Sequence, residues 1–251
     1  AVGFYRGWVA DSIVAEMQRG DGIITPRDLR AYRAIWRTAL KFSYRGYTIY
    51  GMPPPSSGGL TLAMILNTME GYRPLPPFGS AALLHREAEA MRRAYIERNA
   101  NLGDPAFVTN PVDRLISKVF GKKLRGLIDT TRATPTPEAV AALHEGPSTT
   151  HFSVVDASGN AVSLTTTLNS LYGNAVTVRG AGFLLNDEMD DFATVPGGPN
   201  VWGSVDGPAN TIAPGKRMLS SMAPTITLDP KGKLFLVVGS PGGTTIITTV
   251  Y

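Results

Sequence analysis

Apolar residues in the first half of the chain recur at helical spacing. From about Phe4 to Met17, the positions of Trp8, Val9, Ile13, Val14 and Met17 predict a helix. Thr25-Pro26-Arg27-Asp28 predicts another helix start, with Thr25 as cap, Pro26 at the first helical position and Asp28 as the acid of a capping box. Two short β-type runs, Leu40–Phe42 and Thr48–Tyr50, flank Tyr44-Arg45-Gly46-Tyr47. A stiff Pro-, Ser- and Gly-rich loop from Met52 to Gly59 leads into an apolar helix, Leu60 to Met69. Ala81 to Asn101 predicts a longer helix with Arg and Glu on its polar side, and Pro135 to Leu143 a short one.

At Thr149 the period changes from helical to alternating. Phe152 and Val154, then Val162 and Leu164, predict two strands around a turn at Asp156-Ala157-Ser158-Gly159-Asn160. A further strand is predicted over Gly182–Leu185. A second hairpin runs Thr225–Leu228, turn Asp229-Pro230-Lys231-Gly232, then Leu234–Val238. Helices first and antiparallel strands second predict a layered α+β architecture, with no internal repeat. Thr194 to Gly215 holds nine Gly or Pro residues in twenty-two, with Trp202 in its middle. A loop of this kind is a surface excursion or a lid; the lone Trp favours a mobile cover with an aromatic tip.

Composition narrows the function classes. The chain has 251 residues, 43% hydrophobic and 18% charged, as in an ordinary globular protein. The net charge is +4, and its densest basic cluster, Lys118, Lys122, Lys123 and Arg125 with Arg132 beyond, reads as a solvated helix face. No basic face with stacking aromatics supports a nucleic-acid partner. The absence of cysteine excludes disulfides, thiolate metal sites and a Cys nucleophile. No apolar run has the length of a membrane span. The chain starts at Ala1 without Met and ends at Tyr251 inside an apolar pattern, so both ends are expected to be cuts, which leaves room for a lost targeting segment.

Candidate chemistry centres on Thr149-Thr150-His151-Phe152, the start of the alternating run after Glu145-Gly146-Pro147-Ser148. A threonine hydroxyl inside a chain lacks a base, whereas a threonine at a free N-terminus can use its own α-amine. Cleavage between Ser148 and Thr149 would create such a nucleophile. His85, His144 and His151 lack metal-ligand spacing and read as structural or exposed. No G-x-S-x-G elbow occurs. Gly239-Ser240-Pro241-Gly242-Gly243 lacks the Lys and glycine spacing of a nucleotide loop. Backbone amides at Gly242-Gly243 could bind an oxyanion, or the glycines could serve only a tight turn with positive φ. The acidic run Asn186-Asp187-Glu188-Met189-Asp190-Asp191 reads as a calcium site, a helix-terminus charge bias, a solvated run or an ammonium site. Ser220-Ser221 is a hydroxyl pair suited to a carboxylate.

Together these motifs resemble one family, the γ-glutamyltranspeptidases, which are N-terminal-nucleophile hydrolases. They are Thr149-Thr150-His151 with Ser153-Val154-Val155-Asp156, Leu184-Leu185-Asn186 through Met189-Asp190-Asp191-Phe192, Leu219-Ser220-Ser221-Met222-Ala223-Pro224-Thr225, and Gly239 to Gly243. Upstream, Met52 to Gly59 and Leu102-Gly103-Asp104-Pro105 match the family's large-subunit segment, so the likeness covers essentially the whole chain.

The resemblance implies a four-layer αββα sandwich and a precursor that cuts itself. Residues 1–148 would be a large-subunit segment and 149–251 a small-subunit segment, together one domain, with the outer part of each missing. It implies Thr149 as nucleophile, Thr167 as the residue that orients it, and Gly242 and Gly243 as oxyanion donors. Asn169, Glu188 and Asp191 would hold the substrate α-ammonium, and Ser220 and Ser221 its α-carboxylate; Trp202 would be a lid residue. The family's carboxylate-binding arginine falls in the missing N-terminal part. The implied reaction moves a γ-glutamyl group from glutathione or similar compounds to water, amino acids or peptides, without metal or cofactor, in the periplasm or outside the cell. The alternatives are a glutaryl-type β-lactam acylase of the same superfamily and an unprocessed, silent chain.

Overall fold

Gly7 adopts an extended backbone conformation and divides the first predicted helix in two. The computed structural model describes residues 2–135, 148–193, 195, 198, 200 and 206–251. Along them run α1 (Val2–Arg6), α2 (Trp8–Arg19), α3 (Pro26–Ala31), β1 (Leu40–Tyr44), β2 (Tyr47–Gly51), α4 (Gly58–Met69) and α5 (Ala81–Asn101). Then follow α6 (Val112–Leu115), α7 (Lys118–Gly126), β3 (Thr150–Val155), β4 (Ala161–Thr166), β5 (Thr177–Val178), β6 (Phe183–Leu184), β7 (Thr225–Leu228), β8 (Leu234–Val238) and α8 (Ile246–Val250). No described helix is long and apolar enough to cross a membrane. The predicted helix Pro135 to Leu143 falls, apart from Pro135, outside the described residues.

The chain divides into two compact units. The smaller comprises Ala1–Arg37 and Thr167–Glu188. In it α2 buries Ala10 and Ile13 while Trp8 is exposed, so the inward face is narrower than the apolar spacing predicts. The α3 start is the predicted capping box: Asp28 N–H donates to Thr25 Oγ1 (3.4 Å), and Thr25 N–H to Asp28 Oδ2 (2.8 Å). The predicted strand over Gly182–Leu185 is the shorter β6, paired antiparallel with β5.

The larger unit comprises Thr38–Thr166 and Met189–Tyr251. Its four-stranded sheet has the order β1-β2-β7-β8, antiparallel throughout. The alternation of β1 puts Leu40 and Phe42 inside and Lys41 and Ser43 outside. Every residue of α4 is buried, because α5, α7 and α8 pack around it and β1 and β2 lie against it. Leu60, Met64, Ile65 and Met69 of α4 are fully enclosed, each contributing about 1.5–3 kcal/mol of burial. The basic cluster is α7, which buries Phe120, Gly121 and Leu124 and turns Lys122 and Lys123 to solvent. The helix Ala81 to Asn101 departs from its predicted polar side: Glu89 and Arg98 are buried, because neighbouring elements and loops cover that face and supply partners.

The β3–β4 hairpin forms a separate two-stranded sheet with the predicted turn, in which Asp156 Oδ1 accepts from the N–H groups of Ser158 and Asn160 (both 2.9 Å). It is tied to the larger sheet by hydroxyls. Ser153 Oγ donates to the Val237 carbonyl and Ser163 Oγ to that of Val238 (both 3.1 Å), and Thr225 N–H donates to Ser163 Oγ (3.1 Å).

Candidate active site

Thr149 stands immediately before β3 at φ +81°, a left-handed region that β-branched residues rarely enter. Ser148, on the other side of the expected scissile bond, is buried, and its Oγ has no hydrogen-bond partner among the described residues. Such backbone strain costs about 1–3 kcal/mol and persists only where the surroundings enforce it.

His151, two residues on, faces the turn that follows β8. Its Nδ1 pairs with Thr165 Oγ1 (2.9 Å) and its Nε2 with Ser153 Oγ (3.0 Å). Burial holds this imidazole below its ordinary pKa. A Cβ placed on Gly239 would lie 2.2 Å from His151 Nδ1, so only glycine lets the ring approach this closely. His85 Nε2 meets the Asp129 carbonyl at 2.7 Å, while His144 lies outside the described residues.

Gly242 and Gly243 adopt φ +127° and +55°, conformations that favour glycine at both positions. The turn is closed by Thr245, whose N–H and Oγ1–H both donate to the Gly242 carbonyl (3.0 and 2.7 Å). Tyr95 of α5 supports it from below, its hydroxyl donating to the Thr244 carbonyl. Burial pushes the Tyr95 phenol up to about 12, against the opposing Arg98 charge, so it remains a donor.

The hydroxyl pair is clamped by the Pro-rich loop. Ser57 donates to the Ser220 carbonyl through N–H and Oγ–H (both 2.8 Å), and Ser220 N–H donates to the Pro55 carbonyl (2.9 Å). Ser220 Oγ accepts from Met222 N–H (3.1 Å) and Ser221 Oγ from Arg98 Nη2 (3.1 Å). Asp191 ends a 3-10 turn, Glu188–Asp191, and its carbonyl accepts from Asn210 Nδ2 (2.7 Å).

In the smaller unit, Asn169 is buried at φ +74°, a conformation Asn tolerates better than most residues. Its N–H donates to Thr167 Oγ1 (2.8 Å) and its Nδ2 to the Asp187 carbonyl (3.2 Å). Asp187 is a local cap: Oδ1 accepts from Ser170 N–H (2.9 Å) and Oδ2 from Ser170 Oγ. Asn186 Oδ1 accepts from Glu188 N–H (3.1 Å). The larger unit thus holds Ser148, Thr149, Asp191, Ser220, Ser221, Gly242 and Gly243, and the smaller holds Thr167, Asn169 and Glu188. Trp202 lies outside the described residues. No group of three or more His, Asp or Glu among the described residues could hold a metal ion.

Sequence reasoning missed Tyr95, Arg98, Asp206 and Asn210. Arg98 looks like any polar-face residue of a long helix, and its partner Asp206 is 108 positions away.

The chain shares its fold with the crystal structure of cephalosporin acylase from Bacillus halodurans: TM-score 0.80 and 25% identity, over 98% of this chain and 42% of that one. This mixed helix-and-sheet architecture defines the class, the N-terminal-nucleophile hydrolases. The sequence profile described as gamma-glutamyltranspeptidase matches residues 1–251. The glutathione hydrolase proenzyme of Pseudomonas sp. (strain A14) is 49% identical over 250 residues, and that of Escherichia coli (strain K12) 48% over 251. The chain therefore belongs to the γ-glutamyltranspeptidase family, as its motifs suggested. It spans 43% of the length of each of those two relatives.

Proposed function

We propose that this protein is a self-cleaving γ-glutamyltranspeptidase of the glutathione-hydrolase type. In maturation Thr149 Oγ attacks the Ser148 carbonyl, the Ser148–Thr149 C–N bond breaks, and water hydrolyses the resulting ester. Residues 1–148 then belong to a large subunit and 149–251 to a small one. The freed α-amine takes the Thr149 hydroxyl proton as Oγ attacks a γ-glutamyl carbonyl. The oxyanion is received by the amides of Gly242 and Gly243, where losing one donor costs about a hundredfold or more in rate. The C–N bond of the donor breaks as the leaving amine regains a proton. Water, an amino acid or a peptide then attacks the threonyl ester and releases the γ-glutamyl group.

Thr167 orients the nucleophile, Asn169, Glu188 and Asp191 receive the α-ammonium, and Ser220 and Ser221 the α-carboxylate. Trp202 tips a lid. Opposed partners make sense, since a zwitterion leaves water only when both charges are matched. Glutathione and other γ-glutamyl compounds are the donors, and the site of action is the periplasm or the medium. The observation that carries the reading is the strained Thr149 directly after buried Ser148, at the head of β3, within a chain of this family.

A glutaryl-type acylase is the second reading, favoured by the acylase fold match. A glutaryl group lacks the α-ammonium, so the two separate by substrate. The double variant Glu188→Ala, Asp191→Ala should abolish turnover of γ-glutamyl p-nitroanilide. Retained turnover, or a wild type that prefers glutaryl p-nitroanilide, would contradict the substrate assignment.

A further inference from the structure

A buried polar network in the larger unit joins residues proposed for opposite ends of the substrate. Its centre is Arg98, whose side chain is 2% exposed, paired with Asp206 at 1%. Arg98 Nε donates to Ser57 Oγ (2.9 Å), Nη1 to Asp206 Oδ1 and Asn99 Oδ1 (both 2.7 Å), and Nη2 to Ser221 Oγ (3.1 Å). The other Asp206 oxygen accepts from Asn210 Nδ2 (2.9 Å), which also donates to the Asp191 carbonyl (2.7 Å). Asn210 Oδ1 accepts from Leu219 N–H (2.9 Å), directly before the hydroxyl pair.

The chemistry of these groups assigns directions. A guanidinium has donors and no acceptor, whereas a serine hydroxyl carries one proton and two lone pairs. Ser221 must therefore accept from Arg98, and its proton is turned away from the guanidinium. A hydroxyl that accepts a charged hydrogen bond is also a stronger donor in a low-dielectric interior. Meanwhile the Asp206 carboxylate, using one oxygen toward each side, sets Asn210 and through it the main chain of Asp191. Ser57 completes the frame, because its hydroxyl accepts from Arg98 and donates to the Ser220 carbonyl (2.8 Å).

We infer that Arg98, Asp206 and Asn210 are positioning residues: Arg98 fixes Ser221 as a hydrogen-bond donor to the substrate α-carboxylate, and the Asp206–Asn210 bridge holds Asp191 in register with it. The network thereby sets the spacing that selects an α-amino acid head group. This rests on the proposed γ-glutamyl reaction. Lysine keeps the charge but cannot reach Ser57, Asp206 and Ser221 with one planar fork.

The test is steady-state kinetics of the purified protein with two anilides, γ-glutamyl and 4-aminobutyryl, the second lacking the α-carboxylate. Arg98→Lys should raise KM for the γ-glutamyl anilide about tenfold, the usual cost of one charged hydrogen bond, with kcat changed by less than about twofold. It should lower kcat/KM for the aminobutyryl anilide by less than for the γ-glutamyl anilide, since the carboxylate contact served through Ser221 is absent there. Asp206→Asn, nearly isosteric, provides a second variant should the first fail to fold; because it acts through Asp191 on the ammonium, which both anilides carry, it should raise KM for both, with kcat changed by less than about twofold. Equal losses on both substrates in Arg98→Lys, or a fall in kcat at unchanged KM in either variant, would mean a merely structural network and overturn the inference alone. A wild type inactive on the γ-glutamyl anilide would overturn the proposed function, and the inference with it.

Discussion

Thr149 and His151 show how far single residues carry the site. At Thr149 a β-branched side chain occupies a backbone conformation it would not choose, beside a buried hydroxyl without a partner among the described residues. The backbone strain is stored at the uncut bond, and cleavage would relieve it. Burial lowers the pKa of His151, whose ring nitrogens pair with Thr165 and Ser153. Its folded pKa lies below the ordinary value of 6.5, so its contribution to stability is full above that pH and is lost as pH falls through the lowered value. The melting temperature should therefore begin to drop below pH 6.5, before most carboxylates titrate, and His151→Gln should flatten that part of the profile. Identical pH profiles for the two proteins would contradict this assignment.

At the scale of elements, α5 organises much of the larger unit's share of the site. Tyr95 and Arg98, one turn apart, reach the Gly242–Thr245 turn and the Ser221 hydroxyl respectively. Tyr95→Phe removes the donor to the Thr244 carbonyl while keeping the ring, and should destabilise the protein by about 0.5–1.5 kcal/mol, the net worth of one hydrogen bond. Urea unfolding reads this directly; an unchanged midpoint would contradict the role given to the hydroxyl. The sequence makes the hairpins legible, because period-two alternation and turns built on Asp156 and Asp229 are local signals. The capping box at Thr25 is equally local. The break at Gly7 was not legible, since the apolar spacing continues across it. The burial of Glu89 and Arg98 was hidden for another reason: whether a polar face meets water depends on elements distant in sequence, such as the segment carrying Asp206.

For the whole molecule, the family was legible because several motifs occur in order, although each alone was ambiguous. The glycines of Gly242-Gly243 illustrate this: positive φ explains them as a turn without any ligand, and the family match adds the oxyanion role as a proposal. Likewise the acidic run resolves into a cap at Asp187, a 3-10 turn from Glu188 to Asp191, and an Asn210-held carbonyl at Asp191. Residue types alone could not separate these. Turnover by this site requires above all a free amine on Thr149. Intact mass and N-terminal sequencing of the purified protein, alongside Thr149→Ala, test this most directly. The expected result is two fragments, one ending at Ser148 and one beginning at Thr149, and a single uncut species in the variant. A wild type that stays uncut yet turns over γ-glutamyl p-nitroanilide would contradict it.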